Sequence, residues 1–134
     1  MSAMVRFATA FGVWVAPIEH VLEVCPSSLV QPLPAPARGV AGVIEHHDRV
    51  VPVLSTLGVG RRHVLILEWG ATIAGLLVDE VTGVVHVSTD AMGPAPAGQR
   101  EPLVEGTVRE GEGLAYVLDV SQVVAAALTM ETTS

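Results

Sequence analysis

The residues of this chain that are best suited to chemistry are its histidines. Two of the five, His46 and His47, are adjacent and are flanked by Glu45 and Asp48. A protein metal site needs three or four ligand atoms that converge on the ion at about 2.0–2.3 Å. Because consecutive residues of a strand point to opposite faces, these two histidines can share an ion only where the turn is irregular. The pattern therefore predicts a solvated turn tip, and we assign no metal ligand and no cofactor.

Other reactive side chains do not form a catalytic motif. Asp79, Glu80 and Asp119 are predicted at strand ends beside turns, where acidic side chains stay hydrated or cap helices. The sequence contains no Ser-His-Asp or Cys-His motif and no glycine-rich phosphate loop. The single cysteine, Cys25, cannot form an internal disulfide, which suits a reducing cytoplasm. We therefore predict a cytoplasmic protein that is not an enzyme.

The charge balance restricts the class of partner. Seven Lys and Arg residues against fourteen Asp and Glu residues give a net charge of −7. Nucleic acids and anionic membranes are bound through basic patches, so neither is expected as a partner. The most apolar window, residues 64–78, is shorter than a membrane span and contains Glu68, and no signal peptide is evident. The only basic cluster, Arg61-Arg62-His63, is read as a solvated hinge, with a contact patch for an acidic partner as the alternative.

The elements that position these side chains are predicted to be short strands. Valine is abundant and aromatic residues make up only 4% of the chain, which favours strands over helices. Residues 42–57 read as a hairpin whose polar tip holds the two adjacent histidines, and its second arm should lie at a sheet edge or leave the sheet at Pro52. Loops rich in proline are expected at 26–38 and 88–102, and a last helix at 122–130, capped by Asp119 or Ser121. Ten strands are predicted, at 5–9, 12–15, 21–24, 39–45, 49–54, 63–69, 72–78, 81–87, 104–109 and 113–118.

The chain carries an internal repeat. A shift of 64 positions, from Gly42 to Gly106, also brings Val40 onto Val104 and Leu54 onto Leu118 without a gap. A shift of 63 brings residues 11–15 onto residues 74–78. We predict one domain, 1–134, with repeat units at 5–58 and 63–120 that can exchange strands. Two groups of five short strands bury their edges best as barrels.

An ordered set of motifs resembles the CheW domain of chemotaxis coupling proteins and of the regulatory domain of the chemotaxis histidine kinase. The set runs over nearly the whole chain, and it comprises Phe7, Gly12-Val13-Trp14-Val15, Val21-Leu22-Glu23-Val24, Leu33-Pro34-Ala35-Pro36, Gly42-Val43-Ile44, Val50-Val51-Pro52-Val53, residues 64–68, Gly75-Leu76-Leu77-Val78-Asp79-Glu80-Val81 and Leu118-Asp119. The resemblance implies an all-β fold of two five-stranded SH3-like barrels related by a pseudo-twofold axis, with a short C-terminal helix.

The resemblance also implies a function. It indicates a non-catalytic cytoplasmic adaptor that couples chemoreceptors to a chemotaxis-type histidine kinase. The implied partners are the kinase regulatory domain, the cytoplasmic tip of a chemoreceptor and other CheW-like domains. The alternative is a small β-barrel protein, unrelated to chemotaxis, that binds a ligand or a metal through its histidines.

The partner-binding residues implied by the resemblance lie on three predicted strands and one turn, and they are Val21, Glu23, Gly42, His47, Asp48, Val81 and Val84. The chain departs from the family at the turn, where Glu45-His46-His47-Asp48 replaces Asn-Leu-Arg-Gly, at Ser55, where the family has Asp, and in a shorter link at 58–62. Since the family has an acid at Glu23 and an arginine at His47, we expect His47 to pair with Glu23, with Arg49 as the competing partner. Trp14 and Leu77, which match in the repeat, are expected to be buried.

Overall fold

The computed structural model describes residues 1–58, 62–96 and 103–132, and strands dominate it. Eleven strands and one α-helix occur in these ranges, together with three single 3₁₀ turns. The strands are β1 (Ser2–Thr9), β2 (Gly12–Pro17), β3 (Val21–Pro26), β4 (Val40–His46), β5 (Arg49–Leu54), β6 (His63–Trp69), β7 (Thr72–Val78), β8 (Glu80–Val87), β9 (Met92–Gly93), β10 (Val104–Glu110) and β11 (Gly113–Leu118). The helix is α1 (Val120–Thr132).

The predicted strands are confirmed, several of them to the residue. β5, β6, β7 and β11 have the predicted bounds, β4 has the predicted length but is shifted by one residue from 39–45, and the other predicted strands are longer by one to three residues. The prediction of ten strands was wrong by one, because β9 lies inside the predicted loop at 88–102 and pairs with Thr107 and Val108 of β10. A two-residue strand has no alternation that a sequence pattern could show. Residues 97–102 of that loop lie outside the described part of the chain.

The strands form two sheets that exchange hairpins. One sheet has the order β8-β1-β2-β11-β10-β9, and the other has the order β3-β6-β7-β5-β4. Each sheet contains one hairpin from the other half of the chain: β1–β2 joins four strands from the second half in the six-stranded sheet, and β6–β7 joins three strands from the first half in the five-stranded sheet. The junctions are short parallel pairings, β2 with β11 and β7 with β5. This equivalence agrees with a duplicated unit, although the bounds 5–58 and 63–120 stay a prediction.

The expected closed barrels are corrected to open sheets. Within the described residues no backbone ladder joins β3 to β4 or β8 to β9, the edge strands that closure would bring together. A single bridge follows β3, where Gln31 and Val43 exchange N–H···O bonds of 2.8 and 2.9 Å. In the five-stranded sheet, the gap between β3 and β4 is therefore crossed by side chains and by this bridge.

Two glycines show why the repeat is visible in the sequence. Both hairpins, β4–β5 and β10–β11, have a register shift at the same place, between Val40 and Gly42 and between Val104 and Gly106. A Cβ at Gly42 would lie 2.2 Å from the carbonyl oxygen of Gln31, and one at Gly106 would lie 2.4 Å from that of Gly93. Each glycine thus lets a second segment of backbone approach the hairpin closely.

Side chains along each strand alternate between the two faces of its sheet, and the buried ones form three hydrophobic cores. The central core lies between the two sheets, and one further core lies inside the curl of each sheet. On β6, Leu65 and Leu67 belong to the central core, whereas Val64 and Ile66 belong to the core of the five-stranded sheet. Strands that are buried on both faces read as continuous apolar runs, which explains the window at 64–78.

Trp14 and Leu77 are buried, as predicted, with 2% and 7% of their surfaces exposed. They occupy different cores, since Trp14 packs in the central core and Leu77 in the core of the five-stranded sheet. The indole Nε1–H of Trp14 donates to the Thr9 hydroxyl at 2.9 Å, so its one polar atom is satisfied.

Helix α1 covers the central core. Val120, Val123, Val124 and Ala127 lie at the helical spacing that forms one apolar side, and all four are buried there. The carboxylate of Asp119 accepts the Gln122 N–H at 3.3 Å, and the Ser121 hydroxyl also donates to it, so Asp119 is the N-cap. The helix begins two residues before the predicted start at 122. No helix among the described residues has the length and apolarity needed to span a bilayer.

Candidate functional site

A cluster of polar side chains lies at the rim of the five-stranded sheet. On β3, Cys25 faces the inner core of this sheet and Glu23, two residues earlier, has the same facing at the end of that core. On β4, Ile44 faces the inner core and His46 follows it on the same side. Glu23 and His46 therefore extend from the two edge strands of the sheet towards each other.

The turn between β4 and β5 places a second imidazole beside the first. His47 and Asp48 form a two-residue loop with φ angles of 46° and 65°. Positive φ at both central residues is the geometry of a type I′ turn, whose twist matches that of the flanking strands. In this turn the ring of His47 lies against that of His46, with the centroids 4.3 Å apart and the planes at 69°. Because His47 lies in this turn and not in the strand, the alternation of β4 ends at His46 and the two adjacent histidine rings lie side by side.

The side-chain pair at the rim involves His46, so the expected pairing of His47 with Glu23 was wrong. The Nδ1 atom of His46 lies 3.0 Å from Oε2 of Glu23, and the two side chains are 7% and 49% exposed. Since residues of a strand alternate, His46 shares the inward facing of Ile44, whereas His47 belongs to the turn. Arg49, the competing partner, is not the residue that pairs with Glu23 here. The alternation along β4 was the sequence signal that could have identified His46.

The rim cluster brings three potential metal-ligand atoms together and lies beside a cysteine. Nitrogen or oxygen atoms of Glu23, His46 and His47, one from each, all lie within 4.8 Å of one another. Burial raises the pKa of the Cys25 thiol, and the charge of the nearby Glu23 carboxylate and a hydrogen bond to it raise it further. The thiol is therefore held in its protonated, unreactive form.

A second candidate region runs along the edge strands β3 and β8. Val21 and Val81 are partly buried against the central core, on β3 and β8 respectively. Val84 lies on the side of β8 that faces this core, opposite Val5, and is 53% exposed. Val24 has the equivalent facing on β3, opposite Leu65, and is also exposed. The central core thus reaches solvent along both edge strands.

His63 connects these two edge strands. It is the register partner of Pro26 at the end of β3, and its Nδ1 accepts the backbone N–H of Val81 at 3.0 Å. The end of β3 and the start of β8 therefore meet at the first residue of β6. We use the name inter-sheet groove for the surface of β3 and β8 that carries Val21, Val24, Val81 and Val84, without assigning it a depth or width.

The seven residues predicted for partner binding therefore divide between two regions. Glu23, His47 and Asp48 lie at the rim cluster and its turn, and the three valines lie along the inter-sheet groove. Gly42 is buried beneath the backbone of Gln31, so it can affect docking only through the conformation of its hairpin. The sequence reading missed two residues, His46 at the rim and His63 at the groove.

The basic cluster is only partly described. Arg61 lies outside the described residues. Arg62 makes an exposed ion pair with Glu80, with Nη1 3.3 Å from Oε1, and His63 accepts the hydrogen bond at the groove. An exposed pair of this kind contributes little to stability, so Arg62 remains available to an acidic partner.

One cavity offers a rival location for a ligand. It has a volume of about 260 Å³ and is lined by Pro17, His20, Trp69, Glu105, Leu118, Asp119, Val120 and Ser121. Pockets for small ligands have volumes of about 300–1,000 Å³ and a largely apolar lining. The Nδ1 of His20 is already 3.1 Å from the carbonyl oxygen of Glu68, and its ring packs on Trp69. The cavity therefore gives little support to a small-molecule site.

Comparison with known proteins gives a consistent result. The model of the CheW-like domain family matches residues 4–128, most of the chain. Among solved structures, the chain is similar to the scaffolding protein TtCheW from Thermoanaerobacter tengcongensis, with a TM-score of 0.78 and 20% sequence identity over 89% of this chain and 84% of that one. At this identity the similarity concerns the fold. A search of the curated proteins finds no match.

Proposed function

Because the chain belongs to the CheW-like domain family, we propose that it is a non-catalytic cytoplasmic adaptor that couples chemoreceptors to a chemotaxis-type histidine kinase. Membership of the family supports a scaffold role in chemotaxis signal transduction. The identity of the partners and the coupling itself are the parts that we propose. The absence of a catalytic motif from the sequence is consistent with an activity that consists of docking alone.

The observation that carries this proposal is the inter-sheet groove. Large exposed apolar patches on a monomeric protein commonly mark an interaction site. Here Val24 and Val84 are exposed on two edge strands that meet at His63, with Val21 and Val81 half-buried behind them. Exposed valines on two edge strands that meet at one residue suit an amphipathic helix, which would lay its apolar face on them. We assign the groove to the helical hairpin tip of a chemoreceptor.

The kinase is assigned to the other region. The β4–β5 turn projects His47 and Asp48 into solvent, and Glu23 lies beside them at the rim. The open edges of β3 and β4 can also meet another small barrel, as exposed sheet edges do. We propose that the kinase regulatory domain docks on this rim, and that other CheW-like domains compete for the same kind of edge.

The test is a binding measurement with each purified partner. Isothermal titration calorimetry against the cognate regulatory domain and against a receptor hairpin peptide should give affinities of roughly micromolar strength, as expected for transient interfaces. Val84→Asp should weaken receptor binding at least about tenfold, since it places a charge in the apolar groove. Leu114→Asp is the matched control, because Leu114 is exposed on β11, outside both edge strands.

The binding results distinguish the receptor site from the kinase site. Loss of receptor binding in Val84→Asp, with kinase binding retained, supports the groove as the receptor site. Equal loss in Val84→Asp and Leu114→Asp contradicts the groove. If neither wild-type partner binds, the adaptor function is refuted.

A further inference from the structure

We propose that Glu23, His46 and His47 form a binding site for one divalent transition-metal cation, with zinc as the best fit. The three side chains come from the two edge strands and the turn of the five-stranded sheet, and their potential ligand atoms already lie within 4.8 Å of one another. This proposal does not depend on the adaptor function.

The geometry is close to that of a bound site. Zinc ligands lie at about 2.0–2.2 Å from the ion, so atoms of a tetrahedral set are about 3.4 Å apart. The Nδ1 of His46 and Oε2 of Glu23 are 3.0 Å apart, close to this spacing. The cation would take the position between these two atoms, which now share a hydrogen. The nearest ring nitrogen of His47 then has to move by about 1–2 Å, which rotation of the side chain can supply.

The rigid framework favours binding, because two of the ligands are held before the ion arrives. His46 is buried at the end of the inner core, and Glu23 is fixed by a ladder with β6 that resumes after a bulge at Leu22. The third ligand, His47, is held beside His46 by the turn. Glu23 and His47 are exposed on the outer side, which leaves the fourth position of a tetrahedral ion open to water.

The backbone at His47 supports a role for this side chain. The second copy of the hairpin has Gly111 at the corresponding position, and the φ angles are 46° at His47 and 59° at Gly111. Glycine adopts this conformation without strain, and histidine is one of the few other residues that are enriched in it. The turn therefore accepts the imidazole and holds it against His46 and near Glu23.

The donor set selects the class of cation. Two imidazoles and one carboxylate in a tetrahedral arrangement with one open position suit Zn²⁺. Cu²⁺, which stands above Zn²⁺ in the general affinity order, and Ni²⁺ should also bind this set. Mg²⁺ and Ca²⁺ prefer sets made of oxygen ligands and should not compete at millimolar concentration. The net charge of −7 also attracts a cation to the protein as a whole.

The experiment is titration of the metal-free chain with ZnCl₂ at pH 7.5, by calorimetry, together with thermal unfolding in the presence and absence of zinc. We expect one ion per chain and a raised melting temperature, since the ion links β3 to β4 where no ladder does. Replacement of ligated zinc by Co²⁺ should give visible absorption bands that are typical of low-coordinate N/O ligation.

The variants are chosen to keep the fold. Glu23→Gln retains the shape of the side chain, and His47→Asn places a residue that tolerates positive φ in the turn. Loss of a residue that only orients a metal ligand weakens metal binding by about 10- to 100-fold, so each variant should lose at least about tenfold in zinc affinity. His86→Ala, which removes an exposed histidine on β8, is the control and should bind zinc as the wild type does.

The results that would overturn the proposal are specific. Zinc affinity that is unchanged in both Glu23→Gln and His47→Asn places the ion elsewhere. A loss in His86→Ala as large as in His47→Asn indicates binding by surface histidines in general. The absence of any saturable heat or melting shift with zinc, copper or nickel refutes the site.

Discussion

Replacing Gly42 with alanine tests the link between the sequence repeat and the fold. A Cβ at this position would lie 2.2 Å from the carbonyl oxygen of Gln31 and 2.8 Å from its carbonyl carbon. Ordinary van der Waals contact begins at 3.4 Å, so the Gln31 backbone and β4 would have to separate by more than 1 Å. The obstruction is backbone and not a flexible side chain, so no rotamer change relieves it.

The magnitude follows from the contacts that the separation would break. Gln31 and Val43 exchange two backbone hydrogen bonds, of 2.8 and 2.9 Å, and an added ångström takes both beyond hydrogen-bond length. Each contributes about 0.5–1.5 kcal/mol net. Strain from the added methyl group costs about 1–3 kcal/mol more. We therefore expect Gly42→Ala to lower the free energy of unfolding by about 2–6 kcal/mol, a large part of the roughly 5–15 kcal/mol of a typical domain.

Urea unfolding followed by far-UV circular dichroism measures this change. Gly106→Ala should also be destabilising but less so, because its obstruction is Gly93 in the two-residue strand β9, which can shift. Gly113→Ala is the control, since its Cβ would meet no atom within 4 Å, and it should change stability by less than about 0.5 kcal/mol. A loss below about 0.5 kcal/mol in Gly42→Ala as well would refute the close approach of Gln31 to β4.

Three further substitutions test packing, hydrogen bonding and the turn, each by urea unfolding. Leu77→Ala should cost about 2–5 kcal/mol, whereas the same truncation at the exposed Leu22 should cost less than about 0.5 kcal/mol; equal costs would mean that the register of β7 is wrong. Thr9→Val should cost about 1–3 kcal/mol, because the buried indole N–H of Trp14 loses its acceptor, and an unchanged stability would show that another acceptor replaces it. Asp48→Gly should stabilise the chain by up to about 1 kcal/mol, because φ at Asp48 is 65°, and a destabilised variant would contradict the type I′ turn.

Strand positions could be predicted from the sequence because local patterns determine them. Residues 63–69 and 72–78 alternate between two apolar cores and are separated by Gly70-Ala71, so their hairpin has an unambiguous pattern. The repeat was visible because Gly42 and Gly106 each meet a steric requirement that few other residues satisfy. Where the pattern is short or set by distant partners, as for the two residues of β9, the sequence carried no signal.

The rim cluster could be predicted only in part. Glu23 and His47 were identified through the family resemblance. The resemblance aligns positions of the turn, but it does not predict to which side of the strand a substituted residue such as His46 points. His46 became the partner of Glu23 because it continues the inward-facing series of Gly42 and Ile44, which is a property of β4 in this chain. The three-way proximity of Glu23, His46 and His47 depends on how the sheet curls, and that is a tertiary property.

The two sheets have equivalent backbone arrangements but different side chains at their rims. The residue that corresponds to His46 in the second hairpin is Glu110, and its Oε2 lies 3.0 Å from Nε of Arg6, an ion pair that is not aligned as a hydrogen bond. In one sheet the acid is therefore on the hairpin, and in the other it is Glu23 on the edge strand. Both arrangements close the end of an inner core with a glutamate and a nitrogen-bearing side chain, so closure alone does not require histidine. An Arg–Glu pair closes the inner core of the six-stranded sheet. Histidine is therefore not required for closure in the five-stranded sheet, and its neutral ring nitrogen can bind a metal ion, which a guanidinium cannot do.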